Sequence, residues 1–308
     1  MTYFITTFDN ELFRYTFGMS ERALTFLPMP PNRTDNELVR KMVHLLWKFN
    51  IFVTWDFFQP DFYAKIDALT SEDEVVFYIF FPEPLFNLVP RLKKRGVKMS
   101  VWLWDALATT PVLRQNIEHV KALDVPVFTF DPVDAQTCGL KWVPQLFCLH
   151  KPLLAGLVAD NDIQTDCYFL GNLKDEHRQK TLADIKEALV TQGLSCRFIM
   201  PDNKTVKYVG YAQNLENVRE SRCVVELNVT GQCGLTLRSM ESLAFRKKLI
   251  TNNPYVRTYD FYKPENIFVW GEDDPSELKS FVEEPYHEVA QDVLLRYDVD
   301  TWFGRVLE

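Results

Sequence analysis

Apolar residues along the chain fall into two kinds of stretch. Short unbroken runs alternate with longer stretches in which apolar positions recur every three or four residues. The clearest run is 74–81, EVVFYIFF, set between acidic residues and Pro82. A run of that length without polar alternation predicts a strand buried on both faces, as in a parallel sheet. Runs at 3–8, 51–55, 98–104 and 125–130 predict further strands in the first half. Thr34-Asp35-Asn36-Glu37 forms a capping box, in which hydroxyl and carboxylate satisfy free N–H groups. Leu38, Met42, Leu45, Leu46 and Phe49 follow it at helical spacing. Arg91 to Arg95 closes another helix at Gly96. Thr110-Pro111 opens one that runs to about Leu123. Residues 11–31 fit neither period.

The second half repeats the alternation. Runs at 166–170, 195–200, 223–229, 248–251 and 266–270 predict strands. Helical spacing covers 174–190, 214–222, 235–245, 275–281 and 286–296. Strands and helices alternating at this pace predict doubly wound α/β domains with parallel sheets. Ligands of such sheets sit beyond the carboxyl ends of the strands. Asp56, Asp105, Asp131 and Asp134 fall just past predicted strand ends. For Asp131 and Asp134, capping a short helix after the strand is the somewhat better explanation. His150 to Gln164, with Pro152, Gly156 and Asp160-Asn161-Asp162, reads as a link between domains.

Composition supports two domains. The chain has 308 residues, 47% hydrophobic and 25% charged, enough for two cores of about 150 residues each. The expected division is 1–150 and 151–285, with a closing helical segment at 286–308. A net charge of −8 argues against a nucleic-acid binder. The six cysteines form no CxxC pair and sit mostly in apolar runs, as buried free thiols do. The five histidines show no metal-ligand spacing. Acidic residues arrive early, with no basic segment ahead of an apolar core, so no signal peptide is read. No apolar run approaches the roughly 18 residues of a membrane span, so the cytoplasm is the expected compartment. GxGxxG, GxxxxGK[ST] and GxSxG are absent, which weakens oxidoreductase, P-loop kinase and serine-hydrolase readings. Glu272-Asp273-Asp274 is better explained as a capping turn than as a metal motif.

The most informative stretch is 231–253, GQCGLTLRSMESLAFRKKLITNN. It predicts a glycine-bearing loop, an amphipathic helix and a buried strand, in that order. Free N–H groups and the helix dipole at such a junction attract phosphate. Gly234 lies in the loop. Thr236 and Arg238, expected in the first turn, would add a hydroxyl and a guanidinium. Glu241 lies three residues after Arg238 and would accept hydrogen bonds from ribose hydroxyls. A surface ion pair on an ordinary helix explains the same spacing.

This stretch, with YDFYKPENIFVW after it, resembles the donor-binding segment of GT-B-type glycosyltransferases. It is similar in particular to glycosyltransferases of bacterial capsule and lipopolysaccharide clusters, which carry Q-x-G-L-T-x-R-x-x-E followed by K-K-L-I-T-x-N. A second likeness lies in FTFDPVDAQTCGLKWVPQLF at 128–147, against their F-D-x-x-D-A and G-L-K-x-x-P. One departure stands out. The E-x7-E pair of retaining GT-B enzymes keeps only its second member here, Glu241, and Cys233 takes the place of the first.

The resemblance implies two Rossmann-like domains of GT-B type, with 286–308 returning to the first. It implies donor binding by Gly171, Lys174 and Arg178 together with Gly234, Thr236, Arg238 and Glu241. The base would lie near 206–213. The nucleotide-sugar is then a co-substrate, with no cofactor or metal. The acceptor would be a cell-surface glycan or its lipid-linked precursor, on the first domain. If the reaction inverts the sugar, Asp105 is the first candidate for the base and Asp131 the second. The basic cluster 91–98 would meet anionic lipid headgroups in a peripheral membrane contact, or is simply a solvated helix end. Two other classes stay open: a nucleotide-sugar epimerase of the same fold, and a non-catalytic scaffold in polysaccharide assembly.

Overall fold

The computed structural model describes residues 1–6, 11–29, 37–49, 51, 60–79, 82–148, 163–172, 176–201 and 209–308. Several expectations fall wholly or partly outside these residues: the capping box at Thr34, the strand at 51–55, Asp56, the link at 150–164, Lys174 and the stretch 206–213. The chain forms two compact units. One holds Met1–Phe13, Ser20–Val143 and Phe303–Glu308; the other holds Arg14–Met19 and Pro144–Trp302.

The first unit is built from β1 (Thr2–Thr6), α1 (Glu11–Phe17), β2 (Leu24–Pro28), α2 (Glu37–Lys48), α3 (Pro60–Asp67), β3 (Glu74–Ile79), α4 (Glu83–Lys93), β4 (Lys98–Leu103), α5 (Pro111–Lys121), β5 (Val127–Thr129), α6 (Pro132–Cys138) and β6 (Lys141–Trp142). α1 is shared at its end with the second unit. The sheet order is β2-β1-β3-β4-β5-β6, and every neighbouring pair is parallel. Alternate residues of a strand face opposite sides. Val75, Phe77 and Ile79 join one core with Ile66 of α3, Leu88 of α4 and Ile117 of α5. On the other side Tyr78 packs with Phe4 at 5.5 Å and Phe13 at 4.4 Å between ring centroids. This two-sided burial is why the run at 74–81 lacks polar alternation.

The second unit is built from β7 (Thr165–Leu170), α7 (Glu176–Thr191), β8 (Cys196–Ile199), α8 (Tyr211–Arg219), β9 (Ser221–Glu226), α9 (Leu237–Ala244), β10 (Lys248–Thr251), β11 (Ile267–Val269), α10 (Leu278–Glu283) and α11 (Gln291–Leu295). A last helix, α12 (Val299–Leu307), closes the chain and is divided between the units. The second sheet runs β11-β10-β9-β7-β8, again all parallel. Its core brings Ile185 and Leu189 of α7 against Val225, Ile250 and Phe268.

The structure corrects the expected elements in four places. β2 lies in the span that fitted neither period; it is a five-residue edge strand, too short to show one. The helix expected at 214–222 is Tyr211–Arg219, and β9 starts earlier, at Ser221. Residues 286–290 are not helical. There Asn266 donates from Nδ2 to the His287 carbonyl at 2.6 Å and accepts its N–H at 2.8 Å, and Lys263 donates to the Glu288 carbonyl at 2.7 Å. These contacts occupy the backbone groups that a helix would need. Finally, the apolar stripe of α2 is not core: Leu38, Met42, Leu45 and Phe49 are exposed.

Candidate functional site

The carboxyl ends of β7, β9 and β10 carry most of the candidate donor residues. Their organiser is Glu226, the last residue of β9 and only 1% exposed. Its Oε1 accepts from the Ser239 hydroxyl at 2.6 Å, the Thr236 N–H at 3.3 Å and the Thr236 hydroxyl. Its Oε2 accepts from the Thr251 hydroxyl at 2.7 Å. A carboxylate is stabilised beside a helix N-terminus, and four donors replace the water it has lost. Thr236 is the N-cap of α9 and not part of its first turn, since the helix begins two residues later than expected. Its Oγ1 also accepts from the Arg238 N–H at 3.0 Å. The Thr236 hydroxyl therefore both donates and accepts within the protein.

The loop ahead of α9 is pinned by asparagines. Asn228 Nδ2 donates to the Gly234 carbonyl at 3.0 Å and the Gln232 carbonyl at 3.3 Å. Asn253 Nδ2 donates to the Cys233 carbonyl at 3.0 Å. Asn252 in turn accepts the Asn228 N–H at 2.7 Å and donates to its carbonyl at 3.2 Å. Gly231 takes a φ of +86°, which glycine adopts without strain. A trans peptide directs each following N–H opposite to the preceding carbonyl. The N–H groups of Cys233, Gly234 and Leu235 thus point away from the asparagines that hold the carbonyls.

Arg238 and Glu241 form an ion pair, but not a surface one. The Glu241 side chain is 1% exposed and that of Arg238 is 20% exposed. Glu241 also accepts from Asn214 Nδ2 at 3.2 Å. Asn214 Oδ1 accepts from the Tyr168 hydroxyl at 3.0 Å, and Tyr168 meets Asn217 Nδ2 at 3.4 Å. The Tyr211 phenol is pushed well up by burial and then by Glu241. Burial works against the Arg238 charge, yet Glu241, Tyr168 and Tyr211 more than offset it and raise the guanidinium further. Glu241 faces an interior network, and Arg238 is the more accessible member of the pair.

Gly171 and Arg178 meet Arg238 at the same sheet end. Arg238 Nη2 reaches the Leu170 carbonyl at 3.4 Å. Arg178 donates from Nη1 to the Asn172 carbonyl at 3.1 Å and from Nη2 to the Leu227 carbonyl at 2.9 Å. It braces the ends of β7 and β9 against each other. A Cβ at Gly171 would lie 2.8 Å from the tip of the buried Phe169 ring, so any larger residue must push that ring aside. Among the described residues, no three His, Cys, Asp or Glu side chains gather as a metal site would require.

The first unit holds the two candidate bases. Asp105 follows β4 by two residues, next to Trp104, whose ring lies 5.0 Å from Tyr78 and 5.9 Å from Phe13. Burial pushes its carboxyl up to about 6. Burial also raises the Tyr78 phenol well above its ordinary value, with the Asp105 charge adding to it. Asp131 is fully buried as the N-cap of α6, where Oδ1 accepts from the Val133 N–H at 2.9 Å and the Asp134 N–H at 3.1 Å. Asp134 accepts the Leu107 N–H at 2.7 Å. The basic cluster is largely ion-paired: Arg91 and Arg95 to Asp67, Lys93 to Asp124 and Lys98 to Glu74.

Glu226, Asn228 and Asn214 were not legible as functional residues. The signal for Glu226 was a carboxylate inside a predicted buried strand, which must find donors to be tolerated. The asparagines carried no such signal, because their partners lie elsewhere in the chain.

No family model and no curated protein sequence matches the chain. Among solved structures it is similar to an alpha-glucosyltransferase in complex with UDP and a 13-mer DNA containing a central A:G mismatch. That likeness has a TM-score of 0.50 and 11% identity, and covers 100% of this chain and 93% of the other. It is also similar to the glycotransferase of kitacinnamycin, with a TM-score of 0.41 and 10% identity over 100% of this chain and 99% of the other. The first likeness, with the two helix-flanked parallel sheets, places the fold in the GT-B type.

Proposed function

We propose that the protein is a GT-B-type glycosyltransferase that moves a sugar from a nucleotide-sugar to a cell-surface glycan of the capsule or lipopolysaccharide kind, or to its lipid-linked precursor. The observation that carries this reading is the asparagine-pinned loop beside Arg238 at the carboxyl end of the second sheet. The glycine-bearing loop at the start of α9 and the Arg238 side chain would hold the diphosphate, with Lys174 as a further cation. Gly171 keeps side-chain bulk out of that end. Glu226 and Thr236 set the loop and the helix start, and Arg178 braces the strand ends. Glu241 orients Arg238 from below, which leaves ribose binding as a secondary role.

In the reaction, an acceptor hydroxyl attacks the anomeric carbon and the bond to the leaving diphosphate breaks. Charge grows on the leaving phosphate, where preorganised N–H dipoles and a guanidinium stabilise the transition state without a metal. For an inverting reaction Asp105 would take the hydroxyl proton. A carboxyl with a pKa near 6 is a better base than an ordinary one and still ionises near neutrality. Asp131 is the weaker candidate, because its carboxylate caps α6. The bound UDP of the first structural neighbour agrees with a nucleoside diphosphate here; its DNA does not suit a chain of net charge −8. We place the reaction in the cytoplasm, with any lipid contact by the basic cluster falling to Lys94, since its neighbours are ion-paired.

The test is a thermal-shift screen with UDP, GDP, CMP, dTDP and ADP in metal-free buffer. A ligand at about 100 times its dissociation constant stabilises the native state by about 2.7 kcal/mol. One nucleotide should raise the melting temperature and the others should not. A cooperative transition that none of them moves would count against the donor site and for a scaffold. Product analysis with the identified nucleotide-sugar then separates transfer from epimerisation.

A further inference from the structure

The second unit has a cavity at the amino ends of its strands, opposite the end that carries the 231–235 loop. Its volume is about 450 Å³. Arg222, the second residue of β9, lines it, as do Arg246, Lys247 and Lys248 where the chain enters β10. Glu226, at the other end of β9, is four residues from Arg222, or about 13 Å along an extended strand. The cavity is therefore separate from the loop proposed to hold the donor.

Lys248 is the unusual member. It is 2% exposed, and its ammonium lies 4.7 Å from the centroid of the Phe281 ring. Its one hydrogen-bond acceptor among the described residues is the Phe281 carbonyl. An ammonium carries three donors, and a buried charge is costly unless it is compensated. No carboxylate among the described residues comes within ion-pair distance of it. Burial lowers its pKa, opposed in part by the more distant Glu284 and Glu265. Lys247, 6% exposed, adds a second buried cation to the same lining. Arg222 and Arg246 are each about half exposed; Arg222 lies 3.3 Å from Asp166, and Arg246 pairs with Glu288.

The lining also carries Glu283, Glu284 and Glu288, so a plain anion would meet both signs of charge. A ligand with an anionic head and several hydroxyls satisfies both. The head would take the free donors of Lys248, and hydroxyls would donate to the carboxylates. The buried Lys248 ammonium, with the Arg222 and Arg246 guanidinium groups on the same lining, matches a phosphate monoester, with nearly two negative charges, better than a carboxylate with one. The volume exceeds what a phosphate group alone would fill. We propose that this cavity binds a small phosphorylated polyol of the sugar-phosphate class.

Calorimetric titration of the full chain with glucose 6-phosphate tests this, with glucose and inorganic phosphate as controls. Glucose 6-phosphate should bind more tightly than inorganic phosphate, and glucose should not bind. Lys248→Met keeps the stem, removes the charge and should weaken binding by about tenfold or more. Arg222→Gln, at a half-exposed position, should keep the fold and weaken binding by about threefold. It decides the matter if the Lys248 variant does not fold. Saturating nucleoside diphosphate should leave the titration unchanged. The proposal is overturned if glucose 6-phosphate fails to bind, if Arg222→Gln and a folded Lys248→Met both bind it as well as the native chain, or if the nucleotide displaces it. Displacement would assign the binding to the donor loop; nucleotide binding without sugar-phosphate binding would leave the transferase reading standing alone.

Discussion

Thr251 on β10 donates its hydroxyl to Glu226 on β9 at 2.7 Å, and the two residues are register partners in the parallel pair. Through its other oxygen Glu226 reaches Ser239 and Thr236 at the start of α9. One carboxylate thus fixes two strand ends and a helix cap. Glu226→Gln puts an amide donor where every partner is already a donor. It should cost about 1–3 kcal/mol, read as a lower urea midpoint. Nucleotide affinity should fall with it, because the loop would lose its anchor. An unchanged midpoint would remove Glu226 from this role.

Arg238→Ala should weaken nucleotide binding, but the single variant is not a clean test. It strands Glu241 as a buried carboxylate without its cation, a loss of about 3–5 kcal/mol. The variant carrying both Arg238→Ala and Glu241→Gln avoids that charge. It should regain most of the stability and still bind nucleotide about tenfold or more weakly. Nucleotide affinity equal to that of the native chain would take Arg238 out of the site.

Asp105 links stability to pH. Its carboxyl rises from 3.8 to about 6 on folding, so the folded chain keeps a proton that the unfolded chain releases. The resulting stability is present below the ordinary value and is lost as pH rises through about 6. Asp105→Asn should therefore gain on the order of 2–3 kcal/mol over the native chain near neutral pH and little in acid. Transfer activity should fall in the same variant. In the native chain it should rise with pH through about 6, as the base ionises. Denaturation series at acidic and neutral pH, with rates over the same range, read both effects.

Gly171→Ala should destabilise without touching any charge. The added methyl meets the Phe169 ring, which is 2% exposed and must shift within the core to admit it. Overpacking of this kind costs about 1–3 kcal/mol, visible as a lower melting temperature. A variant as stable as the native chain would show that the ring can move.

Local pattern carried the fold a long way. The run at 74–81 and the strand at 248–251 were legible because a strand buried on both faces must be apolar throughout. β2 was not, since a short edge strand needs no such pattern. The ending of helical structure before 286–290 depends on Asn266, twenty or more residues away. No local period reports such a contact.

By itself, the sequence determined the two parallel sheets, the loop, helix and strand of 231–253, and the residue types gathered there. Those follow from apolar periodicity and turn chemistry, which act over a few neighbours. Only the tertiary structure decided what the polar groups do. It turned Glu241 inward onto Asn214, committed the Thr236 hydroxyl to Glu226, used Arg178 as a brace and made Asp131 a cap. The reason is that a polar side chain takes its role from the donors and acceptors left to it once water is excluded. Those partners come from strands that meet only when the sheet has formed.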